Sequence, residues 1–332
     1  MTRCIVTKVL VTGGSGFIGR EIVQTLLKKG FEVNVLDIFN VDVPGITFFQ
    51  GSVLDQEIIS KAMSNCEYVI HMAAILGVSK SSYAPVECLD VNVLGTRNVL
   101  KCCVIHGIKK IVFPSSSEVY GEPVRVPVTE DTVLQPKSEY GVSKSVCEEY
   151  IKAYKKQHNL DFTIVRYFNV YGERQANSWV MPKFVNNAIL DKPLNIFGDG
   201  SQVRAFCHVS DAAAATVTAL MHENAKNNTF NIGNSKEPIT MKELARKAVK
   251  AAGTSSSLEF VPLEESDRSA QREIFNRVPS TEKAKQLLGF EANISVDEGI
   301  RRMLAHKREH LGNLKREVEE TENIQKAMKN GK

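Results

Sequence analysis

Long apolar runs, a dominant charge and a cysteine framework are all missing from this sequence. No segment offers about 18 uninterrupted apolar residues. The opening stretch, MTRCIVTKVLVTGG, passes from one arginine straight into a strand-like run and a glycine loop, with no leader-type apolar stretch. A cytoplasmic protein with no membrane partner is the expectation. The 42 Lys and Arg residues stand against 38 Asp and Glu, a formal charge of +4, which leaves no strong electrostatic footprint for nucleic acid. The seven cysteines are odd in number and scattered, apart from the Cys102 and Cys103 pair. No CxxC or Cys/His spacing suggests a structural metal or a disulfide framework, so no metal and a reducing setting are expected. What is present is 332 residues, enough for one big domain or a main domain with a smaller appendage.

Within that length, strand and helix patterns alternate from residue 7 to about 170. KVLVTG (8–13) reads as a buried strand, Phe17 to Lys29 as an amphipathic helix stopped by Gly30, and FEVNVLDI (31–38) as a second strand. Further strand-like runs are ITFFQG, YVIHMAA, KKIVFPSS, FTIVRYF, LNIF and TFNIG. Helical patterns fall near 56–65, 86–106, 140–157, 181–191, 210–223 and 240–252. Such alternation predicts an α/β fold, with a doubly wound, Rossmann-like parallel sheet covered by helices on both faces. Beyond Gly172 turn-rich text breaks the rhythm. Residues 1–172, with 206–231 returning to them, are therefore expected to form the dinucleotide-type domain. Residues 173–205 and 232–310 are expected to form a smaller mixed α/β domain on the substrate side, and the charged stretch 311–332 a solvated tail.

The glycine loop is the first chemical signal. TKVLVTGGSGFIGREI (7–22) places Gly13, Gly16 and Gly19 between a strand and a helix, and Asp37 ends the next strand. Missing β-carbons let backbone approach a pyrophosphate, whose charge is favoured at a helix N-terminus, while Gly19 permits close packing of helix on sheet. Asp37 can accept hydrogen bonds from both ribose hydroxyls and would repel a 2′-phosphate, which points to NAD as cofactor.

With GxxGxxG rather than GxGxxG spacing, the sequence resembles the extended short-chain dehydrogenase/reductases, specifically the NAD-dependent nucleotide-sugar epimerase/dehydratase group. The similar segments are VTGGSGFIG (11–19), HMAA (71–74), VNVLGTRNVL (91–100), PSSSEVYGE (114–122), YGVSK (140–144), RYFNVYGERQ (166–175), LNIFGDGSQVRAFCHVSDAA (194–213) and KAKQLLGF (283–290), spread over roughly residues 7–300. The resemblance implies that NAD is held by Gly13, Gly16, Phe17, Ile18, Gly19, Asp37, Ser52, Val53, Ala73, Ala74 and Asn92, together with Tyr140 and Lys144. Ser52 stands where the family usually has an aspartate. It also implies a homodimer built on amphipathic helices at 91–106 and 140–157, and a UDP-, GDP- or dTDP-linked sugar as substrate. His71 reads as a satisfied structural histidine.

Tyr140 and Lys144 are four apart and share a helix face. A nearby ammonium and a cationic nicotinamide would draw the phenol toward neutrality, so Tyr140 could remove a hydroxyl proton while the adjacent carbon loses hydride. By resemblance Ser116 orients the reacting hydroxyl, and Ser117 and Glu118 are the next two candidate catalytic residues. A carboxylate there suits abstraction of a C5 proton once C4 is a ketone, hence dehydration, or positioning during decarboxylation. A 4-epimerase, in which Glu118 is a bystander, is the alternative. A net 4-dehydrogenase comes next, and a non-catalytic dinucleotide-sensing protein is the rival from another class. On the substrate side the resemblance assigns Asn169, Phe197 and Arg204, with Arg268 as a second diphosphate clamp and Arg272 its competitor.

Overall fold

The structure is a computed structural model describing residues 6–76, 84–265 and 273–312, together with positions 314, 316 and 318. The chain opens with β1 (Lys8–Thr12), α1 (Phe17–Lys28), β2 (Glu32–Asp37), β3 (Ile46–Gln50), α2 (Gln56–Met63) and β4 (Tyr68–His71). Two helical segments, α3 (Pro85–Leu89) and α4 (Gly95–Ile105), are joined by a π-helical turn at Asp90–Leu94. Then come β5 (Lys110–Ser116), a 3₁₀ turn at Ser117–Tyr120, α5 (Glu139–His158), β6 (Asp161–Tyr167) and the short β7 (Val170–Tyr171). The rest of the chain supplies α6 (Val180–Ile189), β8 (Leu194–Phe197), β9 (Val203–Ala205), β10 (Cys207–His208), α7 (Val209–Met221), β11 (Asn228–Ile232) and β12 (Pro238–Thr240). It ends with α8 (Met241–Ala252), β13 (Leu258–Val261), β14 (Asn276–Arg277), α9 (Glu282–Leu288) and α10 (Val296–Glu309).

Seven strands form one sheet in the order β11-β6-β5-β4-β1-β2-β3, parallel throughout. Its centre is near-continuously apolar because a parallel sheet is covered on both faces; Val9, Leu10, Val11, Ile111 and Val112 are fully buried. On one face Ile22, Val23 and Leu26 of α1 meet the alanine side of α7, and on the other Ile59, Met63, Val99, Cys147 and Ile151 close the second layer. A third core joins Phe184, Val185, Leu194, Leu244 and Met303, from α6, β8, α8 and α10. Around it lie small sheets in which β9 pairs antiparallel with β12 and parallel with β14, placing Arg277 beside Arg204.

Helix starts follow their side chains. Ser138 caps α5 by accepting from Gly141 N at 3.1 Å, and Thr240 with Glu243 forms a reciprocal box at the start of α8. One expected helix, 86–106, is interrupted. The π turn at Asp90–Leu94 rotates Asn92 inward, where it is buried and bonded to Ile75 and Ser143. Leu314 and Val318, within the segment expected to be a solvated tail, are buried. Among the described residues no helix is long and apolar enough to cross a membrane.

Candidate active site

β1 lies between β2 and β4, so the chain reverses its direction of travel across the sheet there, and it is beyond the C-terminal ends of strands at such a switch point that open α/β sheets bind ligands. Gly13 leaves β1 at φ +70°, and a Cβ on it would stand 2.5 Å from Ala73 N. At Gly19 a Cβ would fall onto the carbonyl oxygen of Gly13 and stand 3.0 Å from Gly14 Cα, so α1 starts flush against the loop. Gly16 is the N-cap of α1, with no side-chain cap and no acidic residue in the first turn, which Phe17 and Ile18 begin. Uncapped amides behind a cradle that admits no β-carbon fit a pyrophosphate. Asp37, at the end of β2, accepts from Ser15 N at 3.0 Å and Phe39 N at 3.1 Å, which fixes its carboxylate beside that loop. The residues present therefore fit NAD.

Neighbouring residues serve mainly as supports. Ser52 Oγ accepts from Leu54 N at 3.2 Å, and Val53 is buried beneath Gly95, where a Cβ would come within 2.6 Å of it. Ala73 N donates to Thr12 Oγ1 at 3.3 Å; Ala73 and Ala74 are half-buried. Asn92 accepts from Ile75 N at 2.8 Å and donates to Ser143 Oγ at 2.9 Å, tying the segment after β4 to α5. His71 is held between Thr12 at 2.7 Å and Thr96 at 3.0 Å. Burial, seconded by Lys144, pushes it down to about 3, so it is a neutral structural group, as the sequence suggested.

β5 and the first turn of α5 converge on the same end of the sheet. Gly141 makes this possible: a Cβ there would stand 2.9 Å from Glu118 O, so the turn bearing Tyr140 sits directly against the turn bearing Glu118. Ser116 Oγ accepts from Glu118 N at 3.2 Å and caps the 3₁₀ turn, while Ser117 is buried within it. Lys144 Nζ donates to Pro114 O at 2.8 Å and lies 4.6 Å from the centroid of the Phe113 ring and 6.0 Å from that of Tyr140. Burial pulls Lys144 down to about 8. The polypeptide by itself does not acidify Tyr140. Burial raises the phenol, Glu118 adds to the rise, and the Ser116 hydroxyl opposes it.

Glu118 forms a buried ion pair with Arg277, Oε1 to Nη1 at 2.8 Å, each side chain 7% exposed. Among the described residues Nε and Nη2 of Arg277 find no partner. Nothing local in the sequence announces this arginine, since β14 is two residues long and owes its place to β9. Arg204, its register neighbour, donates to Glu273 at 2.7 Å. Asn169 follows β6 at φ +41°, with its amide on Ala205 O at 3.2 Å, and Phe197 ends β8 half-buried. Arg268 and Arg272 lie outside the described residues.

Residues 9–233 match the family model described as the NAD dependent epimerase/dehydratase family. Over 307 residues the chain is 37% identical to a protein of Methanocaldococcus jannaschii assigned as a UDP-glucose 4-epimerase, covering 89% of this chain and 97% of that one. It is 34% identical over 317 residues to the UDP-N-acetyl-alpha-D-glucosaminuronate decarboxylase of Bacillus cytotoxicus, covering 90% and 97%. The crystal structure of the Thermus thermophilus UDP-glucose 4-epimerase in complex with NAD superposes with a TM-score of 0.82 at 32% identity, over 91% of this chain and 99% of that one. These relatives share a fold and divide between isomerisation and loss of carbon dioxide.

Proposed function

Because the chain belongs to the NAD dependent epimerase/dehydratase family and is an NAD-dependent enzyme that modifies nucleotide sugars, we propose that it oxidises C4 of a nucleotide-linked uronic acid, whose β-keto acid then loses carbon dioxide. Gly13, Gly16 and Gly19 shape the pyrophosphate cradle and Asp37 takes the adenosine ribose. The chemistry supplied by bound NAD is acceptance of the C4 hydride and its later return. Tyr140 takes the C4 hydroxyl proton, Ser116 orients that hydroxyl, and Lys144 supports the phenolate and the nicotinamide ribose. Asn169, Phe197 and Arg204 lie on the substrate side, which we assign to 173–205 and 232–310.

The observation that carries this reading is the buried Glu118–Arg277 pair, with Nε and Nη2 of the guanidinium unspent among the described residues. A forked, desolvated cation with donors to spare suits a second carboxylate, and a C6 carboxylate is what separates a uronic acid from a neutral hexose. Carbon dioxide loss from a β-keto acid needs no base at C5. Dehydration does, and a carboxylate held by a guanidinium is a weaker base. Seating a second anion near Glu118 also adds repulsion that leaves with the carbon dioxide. The proton that C5 then takes up comes from water. The test is Arg277→Met assayed with UDP-glucuronate. Losing one or two charge-assisted hydrogen bonds of about 1.5–3 kcal/mol each predicts a fall in kcat/KM of about a hundredfold, with NAD affinity unchanged. Undiminished turnover of the uronic acid would reject the assignment.

A 4-epimerase is the second reading, supported by the identity to the Methanocaldococcus jannaschii protein. In that case Arg277 joins Arg204 on the diphosphate. For assembly we propose a homodimer through α3, the π turn, α4 and α5, which leave Val86, Leu94, Ile105, Val142 and Val146 exposed. Light scattering of the purified chain reads this directly, and a monomer at micromolar concentration would reject it.

A further inference from the structure

The last turn of α10 carries three potential metal ligands on one surface: His306, Glu309 and His310, at spacings of three and four residues. One donor atom from each lies within 4.8 Å of the other two. The imidazole centroids are 4.9 Å apart. His310 Nδ1 lies 2.9 Å from the carbonyl oxygen of His306, a contact that needs the proton on Nδ1 and leaves the Nε2 lone pair for a cation. From these features we infer that the end of α10 is a binding site for a borderline divalent transition metal, Zn²⁺ above all, independent of the nucleotide-sugar chemistry.

The surroundings agree with that inference. Flanking cations are turned to other tasks: Lys307 Nζ donates to Asn177 Oδ1 at 3.0 Å, and Arg308 donates to Ala252 O at 2.7 Å. The C-terminal end of a helix carries partial negative charge, which favours a cation there. Two imidazoles and one carboxylate are a zinc donor set that leaves a fourth position to water, and imidazole nitrogen disfavours Mg²⁺ and Ca²⁺. Tetrahedral Zn²⁺ with bonds of about 2.0–2.1 Å holds its ligand atoms about 3.3 Å apart. The side chains must therefore draw in by about 1.5 Å from their present limit, a movement open to two exposed residues and one half-buried one.

The experiment uses the full chain, without a histidine tag and stripped with chelator, titrated calorimetrically with ZnCl₂. CoCl₂ is titrated in parallel, followed by its visible absorption. One equivalent is expected to bind, with Tm raised because the metal staples the last turn of α10. His306→Ala and His310→Ala should each lose at least about tenfold in affinity, Glu309→Gln less, and the double histidine variant should lose the Tm response. Both histidines are at the surface end of the helix, so the variants remain folded, and unchanged unfolding in the presence of chelator verifies this. Absence of saturable binding, or binding unchanged in the double variant, would overturn the inference.

Discussion

Replacing Gly13 by alanine tests the cradle at the point where the geometry is least forgiving. The new methyl would stand 2.5 Å from Ala73 N, 2.7 Å from Ala73 Cα and 2.8 Å from Met72 C, all backbone atoms, where ordinary contact begins at 3.4 Å. The loop and the end of β4 must part by about 0.9 Å, and overpacking of this kind costs about 1–3 kcal/mol. A φ of +70° adds the left-handed penalty, about 1–2 kcal/mol for a residue with a side chain. The sum, about 2–5 kcal/mol, corresponds to a Tm lower by about 3–7 °C for a chain of 332 residues. The same displacement moves the amides from the pyrophosphate, so the Kd for NAD should rise at least about tenfold, equivalent to 1.4 kcal/mol. Gly30→Ala is the control, because Gly30 has φ +83° and nothing within 4 Å of a Cβ. It should show only the backbone penalty and bind NAD normally. Calorimetry and thermal unfolding of the two variants settle the matter. If Gly13→Ala binds NAD like the parent and melts with Gly30→Ala, the cradle argument is wrong.

Three further outcomes are expected. Arg166 donates to both oxygens of Glu148, at 3.0 and 2.7 Å, in a fully buried pair that also engages Ser115 and Tyr120; Arg166→Met should lower urea stability by about 3–5 kcal/mol, the double change Arg166→Met with Glu148→Leu should recover much of it, and a single variant within about 1 kcal/mol of the parent would contradict this. His71 is depressed to about 3 in the fold against 6.5 when free, so the unfolded chain binds the extra proton between those values. Stability from this group is whole above pH 6.5 and declines as pH falls toward 3, by at most about 1.4 kcal/mol per unit. His71→Asn should flatten that slope, and an unchanged slope would refute it. Lys144, pulled down to about 8, loses its ammonium as pH rises through that value, so turnover should decline on the alkaline side; a profile flat to about pH 9.5 would show that the charge is not needed.

The main sheet was legible because its signals are local. β-branched runs and Gly30 act within a few residues of the elements they shape, and the alternation of strand and helix favours a parallel topology. The places in the fold of the glycine loop, Asp37, Ser116, Glu118, Tyr140 and Lys144 were readable for the same reason, since each sits near a strand end or helix start. Arg277 was not. Its strand is two residues long and pairs with β9, more than seventy positions earlier, so no periodicity marks it. The π turn that buries Asn92 was hidden inside an unbroken helical pattern, because the extra residue of a π turn alters the phase and not the composition. The lowered phenol expected for Tyr140 rested on charge alone. Desolvation, which the sequence does not display, raises it in the fold.

The central claim, that the keto intermediate sheds its carboxylate, is tested most directly by following the fate of C6. UDP-glucuronate labelled with carbon-13 at C6, incubated with the purified enzyme in deuterium oxide, is predicted to release labelled carbon dioxide and leave a UDP-pentose bearing one deuterium at C5. Retention of the label in a sugar nucleotide of unchanged mass would contradict the account and identify the enzyme as an epimerase.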